Sequence, residues 1–323
     1  MPGWRSGRAE RWTYNVLIFV ADLLEDIFWK ASPREVLEPT DVVHLSDEEL
    51  LQKLIKSPPL QDSWRWSGGF STYILNDRVV GKIALDRRVD EPDLSREAMA
   101  MRLVWEHTTI PVPRVHRTLR VEKWERAFIV MDFIEGERLD RAWPRLSLWS
   151  RLRVAWTLRS YVRQLRRISN PPPPFPGPLG PEPSMCEGQS FSLLDPGYQD
   201  RAWHSTQQLL DRLKKTAEER FRTHHPQQSP KTYPELEDPG ALVFTHNDLN
   251  MRNIILGKDG TVWLIDWDFS GYYPKYFEYL SMLFATESPD ADDSFIPYVP
   301  FVTDPYFPTH AWLYGRPPYD VLK

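Results

Sequence analysis

Cysteine occurs once in the 323 residues, at Cys186, so the chain has no second thiol with which to close an internal disulfide. A secreted protein of this size would ordinarily carry several, and a reducing, cytoplasmic setting is expected. An excess of charge of one sign is also missing. The 40 Lys and Arg nearly balance the 45 Asp and Glu, leaving a net charge of −5, and the basic residues are scattered rather than gathered into an aromatic-interleaved stripe. A nucleic-acid partner is therefore not expected. Long hydrophobic runs are absent as well. The nearest approach is Trp12 to Leu24, preceded by Arg5, Arg8 and Arg11, but Asp22, Glu25 and Asp26 interrupt or follow it and no small-x-small cleavage site comes after. The run is expected to form an additional helix rather than a signal peptide or a membrane span, with reversible surface contact as the remaining alternative. Stable membrane insertion is not expected. The sequence shows no internal repeat, and His, Cys and carboxylates nowhere take zinc-like spacing.

The 41% hydrophobic and 13% aromatic content is ample for a buried core. Ser46 precedes Asp47, Glu48 and Glu49 and then Leu50, Leu51, Leu54 and Ile55 at helical spacing, which predicts a capped helix. Short β-like runs follow at Thr72 to Leu75, Val79 to Leu85 and Phe128 to Phe133, with Asn76-Asp77 as a turn and a helix between Ser95 and His107. From Ser147 the period changes to three or four, through Leu148, Leu152, Ala155, Leu158, Val162 and Leu165, predicting a long amphipathic helix. Pro171 to Pro174 open a proline-rich stretch reaching Pro183, read as a surface loop ahead of a site for a polyproline-binding partner. Helical spacing returns from Ser205 to Phe221, and a strand is expected at Ala241 to Thr245.

The strongest chemical signal follows that strand. His246-Asn247-Asp248 is followed by Asn253, then by Ile254-Ile255-Leu256, a turn from Gly257 to Gly260, and Ile265-Asp266-Trp267-Asp268. Phosphoryl transfer asks for an oriented hydroxyl and a neutralised triphosphate rather than covalent chemistry. An aspartate to take the hydroxyl proton, an amide oxygen five residues on and a carboxylate at the end of the next hairpin would meet that need. Upstream, Ser67-Gly68-Gly69-Phe70-Ser71 lies between β-like runs and fits a phosphate-covering loop or an ordinary hairpin turn. Lys82, in Val80-Gly81-Lys82-Ile83-Ala84, fits a strand-borne phosphate ligand better than an edge charge. Glu97 opens the next helix, where a carboxylate also suits the helix dipole.

His246-x-Asp248-x-x-x-x-Asn253 followed by Ile265-Asp266-Trp267-Asp268 resembles the signature of the aminoglycoside phosphotransferase and choline kinase family, distant relatives of protein kinases. The resemblance runs over roughly residues 46 to 285, and the stretch from His107 to Pro113 and the Leu139-Asp140-x-x-Trp143 segment are similar to a fungal-type branch. It implies an α+β, bilobal, protein-kinase-like fold. A small antiparallel β-rich N-lobe would span 46–135 and a larger, mainly helical C-lobe 136–323, after an N-terminal extension at 1–45. It also implies ATP and Mg²⁺ as cofactors and a small-molecule alcohol as substrate. In its terms Asp248 is the base, Asn253 and Asp266 hold the metal, and Lys82 binds phosphate with Glu97 as its ion-pair partner. Gly68 and Gly69 cover the phosphates, and in Ile129 to Gly136 the Asp132 carbonyl and Ile134 amide contact adenine. His246 supports the loop by hydrogen bonding, Arg252 either neutralises phosphate or pairs with a carboxylate, and Asp268 supports the Asp266 loop or touches a second metal.

Two rivals stand beside this reading. One is a nucleotide-binding scaffold without turnover, suggested by the tail beyond Asp290, where prolines and aromatics leave little helical period. The other is a Ser/Thr protein kinase, disfavoured because no Asp-Phe-Gly to Ala-Pro-Glu segment follows. Glu187, Asp195 and Asp200 would suit a cationic acceptor but fit a solvated face equally. Oligomeric state is not legible.

Overall fold

The structure is a computed structural model, and it describes residues 16, 20, 41–60, 65–66, 69–70, 72–84, 95–121, 126–168, 175–180, 182–183, 202–224, 227, 240–286, 292–306 and 309. The expected N-terminal helix (apart from the isolated helical positions Val16 and Val20), Gly68, Pro171 to Pro174, Glu187, Asp195, Asp200 and the tail from 310 lie outside the described residues.

In chain order the longer helices are α1 (Asp47–Lys56), α2 (Arg96–His107), α3 (Leu148–Arg166), α4 (Thr206–His224) and α5 (Phe277–Thr286). The strands are β1 (Arg65–Trp66), β2 (Gly69–Phe70), β3 (Thr72–Ile74), β4 (Val79–Ile83), β5 (Val115–Val121), β6 (Arg126–Asp132), β7 (Gly136–Arg138), β8 (Gly177–Pro178), β9 (Val243–Thr245), β10 (Ile254–Gly257), β11 (Val262–Leu264) and β12 (Gly271–Tyr273). This is the expected α+β class. The chain divides into two compact units, one built from 33–141 with 251–270 and the other from 1–32, 142–250 and 271–323. Among the described residues no helix is long and apolar enough to cross a membrane.

The first unit centres on an antiparallel sheet of order β3-β4-β6-β5. Every residue of β4 is buried, because α1 lies on one face and brings Leu50 and Leu54 to Val79, Ile83, Phe128 and Val130. The helix starts where expected: the Ser46 hydroxyl accepts the Glu49 N–H at 3.3 Å, while the Glu49 carboxylate takes the Ser46 N–H at 2.9 Å. Gly81 lets it pack closely, since a Cβ there would sit 3.1 Å from Leu54. The strand of this sheet that the sequence did not disclose is β5, an edge strand. His116, Arg117 and Arg120 dilute its apolar pattern, and its register shifts between Val115 and Arg117. Arg117 anchors it to the helix by donating to the Leu45 carbonyl at 2.7 Å and to Asp47 at 2.9 Å. A second sheet, β11-β10-β7, carries 251–270 into this unit by pairing Gly257 with Gly136 and Ile255 with Arg138.

In the second unit α3 starts at Ser147, whose hydroxyl accepts the Ser150 N–H at 3.2 Å, and buries Val154, Ala155, Leu158, Val162 and Leu165 on the periodic face. The sheet β8-β12-β9 draws part of the proline-rich stretch into the fold: Gly177 and Pro178 pair with β12, so this portion is a strand rather than a free loop. The approach is so close that a Cβ on Gly271 would stand 2.1 Å from the Gly177 carbonyl oxygen. The tail is also more regular than its composition suggests. Asp293–Tyr298 is a 3-10 helix and Val299–Thr303 a short α-helix, with Pro300 in its first turn, where a missing N–H costs nothing. Phe295 and Tyr298 meet the Trp143 ring edge-on, at 5.0 and 5.2 Å between centroids.

Candidate active site

Lys82, Glu97 and Asp266 converge within the first unit although 184 residues of sequence separate the first from the last. Lys82 sits on β4 between β3 and β6, so its stem is buried among strands, and its ammonium donates to Glu97 Oε1 at 2.6 Å and Asp266 Oδ1 at 2.7 Å. Burial alone would favour the neutral amine. The Asp266 and Glu97 carboxylates outweigh it and hold the ammonium far above the ordinary lysine range, so Lys82 is protonated. Glu97, in the first turn of α2, is 1% exposed and also takes the Trp267 N–H at 3.2 Å, tying α2 to the segment that carries Asp266. Its second oxygen has no hydrogen-bond partner among the described residues.

Asp266 has φ of +65°, a left-handed conformation that Asp and Asn tolerate better than other side chains. That turn ends β11 and sends the carboxylate toward Lys82. Its side chain remains 38% exposed while its two partners are sealed, which makes it the carboxylate of the cluster that a ligand can reach. Asn253 closes the 3-10 turn Met251–Asn253, and its carbonyl accepts the Ile265 N–H at 3.0 Å, linking the loop to the strand end before Asp266. Among the described residues no group of three or more His, Cys, Asp and Glu gathers as a metal cage. One carboxylate with one side-chain amide is a hard-oxygen donor set, and it fits Mg²⁺, which keeps much of its water. Asp268 is 5% exposed, whereas Arg252 lies at the surface.

Asp132 ends β6 and its side chain does something sequence gave no sign of. The carboxylate accepts the Arg114 N–H at 3.0 Å and pairs with His116 at 2.7 Å, while the Asp132 N–H donates to the Arg114 carbonyl at 3.2 Å. Arg114 therefore gives its N–H to the side chain of Asp132 rather than to the Asp132 carbonyl. The register of β5 shifts at His116, the residue whose imidazole meets this carboxylate. Ile134, two residues on, is buried, and Gly69 lies in β2.

Asp248 belongs to the second unit. It follows β9 and Asn247, whose φ is +61°, and is 7% exposed; Asn250 Nδ2 donates to its Oδ1 at 3.0 Å and to its carbonyl at 3.1 Å. Its backbone is held from α5. Glu278 accepts the N–H of His246 at 2.7 Å and of Asn247 at 3.1 Å, and also that of Leu249, while the Ser281 hydroxyl donates to the Asn247 carbonyl at 2.7 Å. Glu278 and Ser281 are one turn apart on α5, so one helix face grips the loop. The amino-acid sequence carries no sign of this role for Glu278, because a carboxylate bonded to distant backbone leaves no periodic trace.

Burial pushes the Glu278 carboxyl up to about 7 from an ordinary 4.5, against three backbone N–H bonds and the Arg166 charge. The folded chain thus holds a proton that the unfolded chain releases between these values, and stability from this group falls as pH rises from about 4.5 to about 7. On the order of 3 kcal/mol is at stake. Denaturant unfolding at pH 5 and pH 8 should show that loss in the native chain and a flatter dependence in Glu278→Gln.

Residues 65–299 match the model of the phosphotransferase enzyme family, APH. Among solved structures the chain is similar to the GDP complex of wild-type aminoglycoside 2'-phosphotransferase-IIIa, at 15% identity over 85% of this chain and 87% of that one, with a TM-score of 0.48. It is similar to the streptomycin-ATP-APH(2")-IIa ternary complex at 16% identity over 86% of both chains, TM-score 0.46. A third is spectinomycin phosphotransferase, APH(9)-Ia, with ADP and spectinomycin, at 13% identity over 78% of both chains, TM-score 0.42. None of the curated proteins matches the sequence.

Proposed function

The chain belongs to the phosphotransferase enzyme family, and from that membership we propose that it moves the γ-phosphate of ATP, with Mg²⁺, to a hydroxyl of a small molecule such as an aminoglycoside, choline or a comparable alcohol. The observation that carries this reading is the buried Lys82 ammonium shared between Glu97 and Asp266. An ion pair with Glu97 alone would serve stability; adding the half-open Asp266 leaves a positive charge and a metal-type oxygen side by side, as a nucleotide phosphate with its cation requires.

Lys82 takes phosphate oxygens, with Glu97 fixing the direction of its stem. Asp266 and Asn253 would hold Mg²⁺, which would supply neutralising charge for the phosphoryl group. Gly68 and Gly69 bring backbone amides to the phosphates. The Asp132 carbonyl and Ile134 amide pair with adenine, and the Asp132 carboxylate supports this by satisfying Arg114 in the carbonyl's place. Asp248 orients the acceptor hydroxyl and accepts its proton as the new P–O bond forms and the bond from the γ-phosphorus to the β,γ-bridging oxygen breaks, so that ADP leaves. The loop's backbone, fixed by Glu278 and Ser281, keeps that carboxylate in place.

The test is transfer from γ-labelled ATP, with and without Mg²⁺, across aminoglycosides, choline, ethanolamine, sugars, amino acids and a generic protein. Mg²⁺-dependent labelling of one small alcohol is expected and names the acceptor class. Labelling of protein alone would replace this reading with a protein kinase. Nucleotide binding with no labelled product would replace it with a scaffold.

A further inference from the structure

The segment following the family match at residue 299 is fastened by one carboxylate in a costly conformation. Asp304 has φ of +68° and ψ of 150°, a region ordinarily left to glycine, and it holds that shape against two arginines of α3. Its oxygens accept Arg159 Nη1 at 3.0 Å and Arg166 Nη1 at 2.6 Å. Burial works against the ionised carboxylate, yet the Arg166 and Arg159 guanidiniums outweigh it and keep the carboxyl below its usual range. Arg159 and Arg166 are seven residues apart, two turns along one face of the helix.

Each arginine makes further bonds to backbone. Arg159 Nη1 donates to the Phe301 carbonyl at 2.7 Å, and Arg166 Nη2 donates to the Thr303 carbonyl at 2.7 Å. Arg166 Nη2 also reaches the Lys275 carbonyl at 3.1 Å, two residues before α5 begins. The guanidinium thus ties the tail to the entrance of the helix whose first turn carries Glu278. Beyond it, Tyr306 packs against Tyr276, just before α5, and Tyr279 within it, with ring centroids at 6.3 and 5.9 Å.

We propose that Asp304 is a positioning residue for the loop at 246–249: by locking Arg166 against the start of α5 it fixes the placement of Glu278, and through Glu278 the backbone that presents Asp248. The proposal rests on the reading of Asp248 as the acceptor's base, but the physical chain from Asp304 to the loop does not need turnover to be measured. It gives the tail a part in the site although it contributes no group to the reacting atoms. Without the carboxylate, Arg166 would keep its two carbonyl partners but lose the charge that orients it.

Hydrogen exchange read by mass spectrometry on native protein, Asp304→Asn and Arg166→Met decides it. Amides at 246–249 should exchange about tenfold faster in both variants, while peptides from β4 and β6 exchange as in the native chain. On a labelled acceptor, kcat should fall by about tenfold with the KM for ATP unchanged, the split expected of a displaced base rather than a weakened nucleotide site. Faster exchange confined to 299–306, with 246–249 as in the native chain, would overturn the proposal and leave Asp304 a local fastening. Should Asp304→Asn fail to fold, Asp304→Gly removes the same carboxylate while relieving the backbone, and it too must loosen 246–249. If the native chain transfers phosphate to nothing, the kinase reading falls while exchange at 246–249 still judges this link by itself.

Discussion

Asp248→Asn is expected to lower kcat for phosphate transfer by about 10²- to 10⁴-fold, the range for losing a positioned general base. The substitution is nearly isosteric. Asn250 can still bond the side-chain oxygen it now meets at 3.0 Å and the carbonyl at 3.1 Å, and the clamp from Glu278 and Ser281 is on backbone atoms that the change does not touch. What disappears is the capacity to accept a proton from the incoming hydroxyl. Nucleotide affinity should stay within about twofold, because the residues assigned to the nucleotide do not include Asp248. Labelled-phosphate transfer paired with a nucleotide titration separates the two effects. Transfer that survives within about tenfold would mean another group takes the proton.

The elements legible in the sequence were those whose burial imposes a period. The capped α1, the fully buried β4 and the apolar face of α3 all announce themselves through spacing. Strand β5 did not, since an edge strand with a register shift carries arginines where a central strand carries valines. Nor did β12 or the Gly177-Pro178 pairing, which depend on one close backbone approach at Gly271 rather than on any pattern of side chains. The tail hid for the reverse reason: its prolines argued against helix, yet Pro300 stands in a first turn where proline is tolerated.

The candidate site divides along the same line. Lys82, Glu97 and Asp266 could be named from motif spacing because their chemistry needs those residue types, and the structure brings the three into contact. The groups that hold them could not. Trp267 gives a backbone N–H to Glu97, His116 meets Asp132 through a bulge, and Glu278 grips a loop 31 residues earlier. Each is a bond between a side chain and something distant, set by tertiary packing alone. Such bonds also explain why Asn247 and Asp266 keep left-handed backbone at the two loops that matter. Surrounding contacts overdetermine a conformation that local preference would abandon.

Lys82→Met carries the largest expected cost in stability, and the cost should depend on pH. The methionine matches the stem's volume but removes the cation, stranding Glu97 at 1% exposure with, among the described residues, the Trp267 N–H as its remaining partner. Breaking a buried ion pair by deleting one partner typically costs about 3–5 kcal/mol, because the remaining charge is uncompensated. The carboxyl can escape by binding a proton. Its folded value then lies well above the unfolded one, so the folded variant binds more protons than the unfolded chain, and stability is lost as pH rises through that window. The gap in melting temperature between native and Lys82→Met should therefore be small near pH 5 and wide near pH 8. Adding Glu97→Gln removes the stranded charge yet keeps an oxygen for the Trp267 amide, and it should recover much of the loss at pH 8 without restoring nucleotide binding. Thermal unfolding of the two variants at both pH values, followed by nucleotide titration of the double variant, checks each step. An equal loss at pH 5 and pH 8 would mean that Lys82 stabilises the fold through its buried stem rather than through its charge.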